Sequence, residues 1–437
     1  MGLKIGVGNT NPTFGYDSYY GVRFNLSSSS TDGTRVGKST LHQSLPIQSQ
    51  MRDCIVADNG QVVAYLDPND RTKLQSGGDA VLDGSWGQVM CEIPAHYRKF
   101  EFTDTTWSVL ISEHALPGFH YVPKSYIGAY KATVDRTVSA TKKLCSVKNA
   151  TANFRGGDGS NSSWDELSKT LLQRPCSNES LDTYRIYAAN RGAGWYQHLW
   201  DVKKAVWWLF VVEYATLNTQ KPYNAALDAN GYHQGGLGDG VTTLNGTKWN
   251  SFNGYHPFTP IGTTDSLGNR TGVVSYTMPE EYDSTTTTVS VPAYRGIENP
   301  FGEIWEWVDG VCLDIQSNGD GGKSLVYTCN DLSKLNFDSN LNGYTLKGSA
   351  ARTEGYVKKM IMGEQGEIIP SEVGGSSSTY FADYFYTSLP SSGVSRRAVF
   401  VGGSAYGGAY AGLVSVHTNA GSSYTNAFIG ARLCYIP

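Results

Sequence analysis

The chain has 437 residues, 35 of them basic and 39 acidic, and only 17% of its residues are charged, against ~25% in ordinary soluble domains. No block of like charge occurs, which argues against a nucleic-acid partner. The longest apolar run, Ala205 to Val212, is far too short to cross ~30 Å of hydrocarbon, so no membrane insertion is expected. The N-terminal stretch Met1 to Phe14 lacks the apolar core of a signal peptide, so synthesis in a cytoplasm is expected. The 50 glycines and 28 tyrosines, with many Ser, Thr and Asn, favour short strands, many turns and a polar, weakly charged surface. Seven scattered cysteines without a C-x-x-C pair read as buried free thiols, not as a disulfide framework or zinc site.

In chain order, residues 1 to 50 are rich in turns. Asp58-Asn59-Gly60 between two apolar runs predicts a hairpin, since both Asn and Gly tolerate φ > 0. Gln88 to Pro94 and Arg98 to Phe102 predict a further strand pair. The middle reads as helical. Ser163 to Glu166 fits a capping box for a helix ending before Pro175, and Glu179 to Asn190 is a second candidate. A third runs from Leu199 to Leu217, apolar almost all round and therefore core, with Pro222 closing the segment. Loops and short strands follow. The expected class is α+β: a β-rich region over 1–125, then a domain over 126–437 with two to three helices, short strands and long loops.

In Glu303 to Gly310, Trp305, Trp307 and Asp309 share one strand face by period two. The expectation is a packed core whose Asp bonds loop backbone, with Gly296 and Gly302 at turns that a Cβ would block.

From Ala398 to Ala431 there are 34 residues and no Asp, Glu, Lys or Arg, where the chain's own composition would place about six. Apolar residues interleave with small polar ones, unlike a linker. Alternation in Leu413 to Asn419 places Val414, Val416 and Thr418 on one face and Ser415, His417 and Asn419 on the other, expected outward. Tyrosine supplies rigid contact area while Ser and Asn supply adaptable hydrogen bonds, the character of a binding face.

Several segments taken in order carry a family resemblance. They are Leu41 to Arg52, Tyr65 to Asp70, Gly87 to Pro94, Ala189 to Trp195, Trp208 to Gln220, Tyr294 to Gly310, and finally Gly402 to Ser404, Ala411 to Leu413 and Ile429 to Leu433. Together they resemble fibre or receptor-binding virion proteins of bacteriophages that infect gut Bacteroidetes. The resemblance implies a C-type-lectin-like C-terminal domain, akin to formylglycine-generating (sulfatase-modifying) enzymes, with its terminal binding face at 398–433. It also implies a homotrimer, contact with other virion proteins, and a host-surface glycan or protein as receptor. The implied location is the virion, after synthesis in the bacterial host's cytoplasm. Carried onto this chain, the ligand-binding candidates are Ser404, Tyr406, Tyr410, Ser415, His417, Asn419, Ser422, Ser423, Tyr424 and Asn426. In some relatives this stretch is diversified by a retroelement. The alternative role is a structural head-fibre, decoration or collar protein without receptor contact.

The enzymes of that fold bind copper through a C-terminal cysteine pair. Gly402 to Leu433 contains no cysteine and Cys434 stands alone, so the copper ligand set is missing and no enzyme is expected. The eight histidines form no H-x-x-H or H-x-x-x-H pair. Asp309 with Asp314, or Glu280 with Glu281, lack the context of a glycosidase pair. No cofactor or catalytic metal is expected. Asp314, Asn318 and Asp320 offer hard oxygens to a structural calcium, but an ordinary turn is the preferred reading.

Overall fold

The structure is a computed structural model. It describes residues 18–157, 162, 170–223, 227, 229–232, 258–278, 288–329, 331–336 and 340–437. The candidate helix at Ser163 to Glu166 lies outside these residues, as do Glu280 and Glu281. Among the described residues, 26 strands stand against three α-helices and a few 3-10 turns. The chain is therefore β-rich throughout, and the expected α+β class is wrong. The helices never form a layer of their own. The stretch expected to hold loops and short strands instead supplies the longest strands, Trp305–Gln316 and Val394–Gly402.

The first sheet runs Thr34–Gly37, Tyr20–Asn25, Thr106–Ser112, His96–Phe102 and His120–Val122. The second has seven strands: Trp195–Gln197, Leu433–Tyr435, Ser125–Gly128, Gln88–Ile93, Arg52–Val56, Val62–Asp67 and Asp70–Leu74. The hairpin predicted at Asp58 to Gly60 joins two of these, with Cys54 opposite Tyr65. The strand Leu433–Tyr435 pairs with Ser125–Gly128 on one side and Trp195–Gln197 on the other. The sheet thus crosses the boundary expected at 125/126.

The large C-terminal sheet is ordered Tyr344–Ser349, Ser324–Cys329, Trp305–Gln316, Val394–Gly402, Gly412–His417, Tyr384–Tyr386, Gly355–Met360 and Pro370–Val373. Ile429–Gly430 adds a short parallel pairing to Trp305–Gln316.

Helix α1 is the short Ser39–Ser44. Helix α2, Leu181–Ala189, starts where Ser180 Oγ accepts the Thr183 amide at 3.0 Å, a side-chain N-cap. Helix α3, Trp200–Tyr214, buries every residue but Asp201. It ends at Ala215, which is left-handed at φ 55°, well before Pro222. Its side chains share one core with Tyr20, Val22 and Phe24 of the first sheet and with Val308, Val399, Val414 and Val416 of the large sheet. A helix apolar all round needs cover on every side, and these sheets supply it. No helix among the described residues is long and apolar enough to cross a membrane.

Candidate functional site: a file of aromatic rings ending at the surface

The charge-free run forms the end of Val394–Gly402, the 3-10 segment Ala405–Tyr410, the strand Gly412–His417, and a loop leading to Ile429–Gly430. Strand register lines up Trp307, Phe400, His417 and Tyr386 as direct neighbours across four strands. On the same strand Tyr384 stands two residues from Tyr386, hence on the same face, and it pairs across the sheet with Tyr356.

The rings touch in sequence. Trp307 meets Phe400 edge-on at 4.9 Å, and Phe400 stacks on His417 at 4.1 Å. His417 stacks on Tyr386 at 5.1 Å, and Tyr386 meets Tyr384 at 4.6 Å. Tyr384 contacts Tyr410 at 4.6 Å and Tyr356 at 5.2 Å, and Tyr356 contacts Tyr410 at 5.4 Å. The file starts at Trp307, which is fully buried, and ends at Tyr410, 44% exposed, with Tyr406 nearby in sequence at 67%. Offset and tilted contacts of this kind each add ~0.5–1.5 kcal/mol beyond area burial, so the outer tyrosines are held in place by the rings beneath them.

Polar groups border the outer end. Glu354 Oε1 accepts the Thr387 amide at 3.2 Å and lies 3.4 Å from Asn419 Nδ2. Asn419 Oδ1 is buried without a hydrogen-bond partner. Burial holds His417 down at about 3, so its imidazole is neutral at physiological pH, with Nδ1 accepting the Asn419 amide at 3.2 Å. Burial, and after it the neighbouring Tyr384 and Tyr410 with a smaller push from Glu354, holds the Tyr386 phenol above its usual range. The aromatic end is therefore uncharged, with one carboxylate beside it. Such a surface can stack on a ring and hydrogen-bond its edge.

The ten candidates from the sequence separate into three groups. Tyr406 and Tyr410 are exposed, and His417 and Asn419 are half-buried beside them. Ser404 and Ser415 are buried. Ser415 is not outward as expected, because Gly412–His417 is an interior strand with both faces covered. Val414 and Val416 pack into the core around α3, while His417 packs on Phe400 and Trp305 on the other side. Ser415 Oγ donates instead to the Tyr384 carbonyl at 3.1 Å. The third group lies in the loop after the strand. Ser422 Oγ donates to Asp182 of α2 at 2.8 Å, and Asn426 Nδ2 donates to Tyr424 Oη at 3.0 Å, with Ser423 and Tyr424 exposed.

Tyr356, Tyr384, Tyr386 and Glu354 were missed because they precede the charge-free run. The alternation Tyr384-Phe385-Tyr386 was the available signal. Trp305 and Trp307 do share a face, both against Phe400, and Gly296 and Gly302 both take positive φ, 86° and 74°. Asp309, however, is gripped by the Arg185 fork at 2.6 and 2.7 Å, with Gly310 N donating at 2.7 Å. Its main partner is a helix side chain, not a loop backbone.

The calcium candidates have their own partners. Asp314 holds Arg396 with two bonds of 2.8 Å, Asn318 Oδ1 accepts from Arg352 at 2.8 Å, and Asp320 Oδ2 accepts from Ser317 and from the Gly393 amide. Among the described residues no group of three or more His, Cys, Asp or Glu side chains is arranged to hold a metal. With both Asp309 and Asp314 clamped by guanidinium forks, neither carboxylate is placed as a free acid or base. Neither a protein-family model nor a curated protein matches the chain.

Proposed function

We propose that this is a bacteriophage virion protein that attaches the particle to a glycan on the host surface through the tyrosine end of its large sheet. The observation that carries the reading is the outer cluster of Tyr356, Tyr384 and Tyr410, buttressed from below and open to solvent at Tyr410. Sugar rings present C–H faces that stack on aromatics, and their hydroxyls suit Asn419 and Glu354 at the rim. Rigid tyrosines lose little conformational freedom on binding. The resemblance of the ordered sequence segments to phage fibre proteins supplies the virion context.

The test is binding of the purified full chain to host cells and to their isolated capsular polysaccharide. Tyr384→Ala with Tyr410→Ala is expected to weaken binding by at least tenfold, since tyrosine anchors at interface centres contribute ~1–2 kcal/mol each. Unchanged binding by that double variant, with the fold intact by circular dichroism, refutes the assigned face. A structural decoration role gives no binding by the free protein at all.

A further inference from the structure

A second feature lies away from the aromatic file. Arg98, in the strand His96–Phe102, is only 4% exposed. Its Nη2 donates to the Gln365 carbonyl at 2.9 Å, and Nη1 is buried with no hydrogen-bond partner. Among the described residues no carboxylate pairs with it. The two acids whose charges act on it are held by other partners. Glu367 is taken by Lys204 at 3.1 Å and by Trp200 Nε1 at 3.3 Å, and Asp201 by Lys204 at 2.8 Å. Burial, only partly offset by the charges of Asp201 and Glu367, pulls the guanidinium down to about 10. An unpaired buried cation is costly, and a chain that keeps one has a use for an anion there.

Arg98 lines a cleft of about 580 Å³, within the ~300–1,000 Å³ typical of small-ligand sites. Val122, Pro123, Leu332 and Ile436 supply an apolar wall, and Tyr121, 58% exposed, also borders it. Acidic Asp201, Glu364 and Glu367 lie along the same lining. Basic Lys204 and Lys347 share that lining, so with Arg98 three cations face the three acids, and a singly charged anion meets less net repulsion than a dianion.

We propose that this cleft binds a small organic monocarboxylate, seated as a two-oxygen pair on the Arg98 fork with its apolar body against Leu332 and Ile436. The planar fork matches carboxylate geometry, and the apolar wall favours a carbon skeleton over an inorganic ion.

The experiment is calorimetric titration and thermal shift of the full chain with acetate, phenylacetate and glucuronate, at constant ionic strength. Phenylacetamide and inorganic phosphate serve as controls. At least one carboxylate is expected to bind saturably and raise Tm, with phenylacetamide and phosphate at least tenfold weaker than that carboxylate. Arg98→Met is expected to lower its affinity at least tenfold. Leu332→Asp, which leaves Arg98 in place and adds a negative charge to a half-buried lining position, is expected to do the same should Arg98→Met not fold. The proposal is overturned if none of the three carboxylates binds, if phosphate or the amide binds as well, or if both variants bind normally. Destabilisation of the ligand-free protein by Glu364→Gln, as for a broken ion pair, would assign the counter-charge to the chain itself and also overturn it.

Discussion

Glu306 sits at the centre of a buried cluster of charges. It is 2% exposed, and its carboxylate accepts from Lys131 Nζ at 2.7 Å, from Arg432 at 2.7 and 3.1 Å, and from His198 Nδ1 at 3.0 Å. Lys131 and Arg432 are themselves 2% and 1% exposed. Glu306→Gln keeps the shape and removes the charge, leaving two cations in a dry interior. Breaking a buried pair from one side costs ~3–5 kcal/mol. An unfolding entropy of ~2.1 cal/mol/K per residue over this length gives ~0.9 kcal/mol/K, so Tm should fall by ~3–5 °C. Calorimetry at pH 7, with guanidinium unfolding as a second measure, reads the effect. The cations hold the Glu306 carboxyl well below its usual 4.5 although burial alone would raise it. A carboxyl depressed in the fold stabilises fully above its unfolded pKa, and this is lost as pH falls through the folded value. The gap between wild type and variant should therefore close as pH drops below 4.5. A Tm change under 1 °C at pH 7, or a gap that stays constant down to pH 3, would refute the assignment of Glu306 as the compensating charge.

Three further outcomes are expected. His417 is pulled from 6.5 to about 3 by burial, so it favours the fold above pH 6.5 and penalises it as pH falls toward 3. His417→Phe should lose less stability than wild type between pH 6.5 and 4 in matched urea titrations, and equal acid slopes would contradict its burial. All seven cysteines are buried and free, and burial raises each thiol pKa. A thiol reagent at pH 8 should modify at most Cys329, which is 5% exposed and borders the Arg98 cleft, until denaturant is added; rapid labelling of several thiols in native protein would show a looser core. Gly21→Ala would bring a Cβ to 2.1 Å from the Val109 carbonyl oxygen, a backbone atom of the paired strand. Overpacking costs ~1–3 kcal/mol or more, so a variant as stable as wild type would show that these strands can separate.

Features set by local sequence were legible. The Asn59-Gly60 turn, the largely apolar α3 and the shared face of Trp305 and Trp307 follow from turn chemistry and periodicity, which act over a few residues. Features set by distant pairing were not. Asp309 and Arg185 are 124 positions apart, and no local pattern links them. Ser415 alternates as an outward residue would, yet alternation cannot tell whether a strand lies at a sheet edge or in its interior. Fold class failed for a related reason: the large sheet collects strands from 305 to 417 whose order, including the parallel pairing of Tyr384–Tyr386 with Gly412–His417, is not sequential. The aromatic file was half visible, since Phe400, His417 and Tyr410 fell inside the charge-free run while Tyr356, Tyr384 and Tyr386 join them only through the fold.

Leu433–Tyr435 is made 305 positions after Gly128, the end of the strand it pairs with. At ~5–20 residues per second, a ribosome leaves Ser125–Gly128 without that neighbour for roughly 15–60 s. An open strand edge is a template for wrong partners. Nascent chains stalled before Leu433 should accordingly engage holdase chaperones and self-associate, whereas released chains should not. A single short β-strand thus makes the timing of translation part of how this protein reaches its shape.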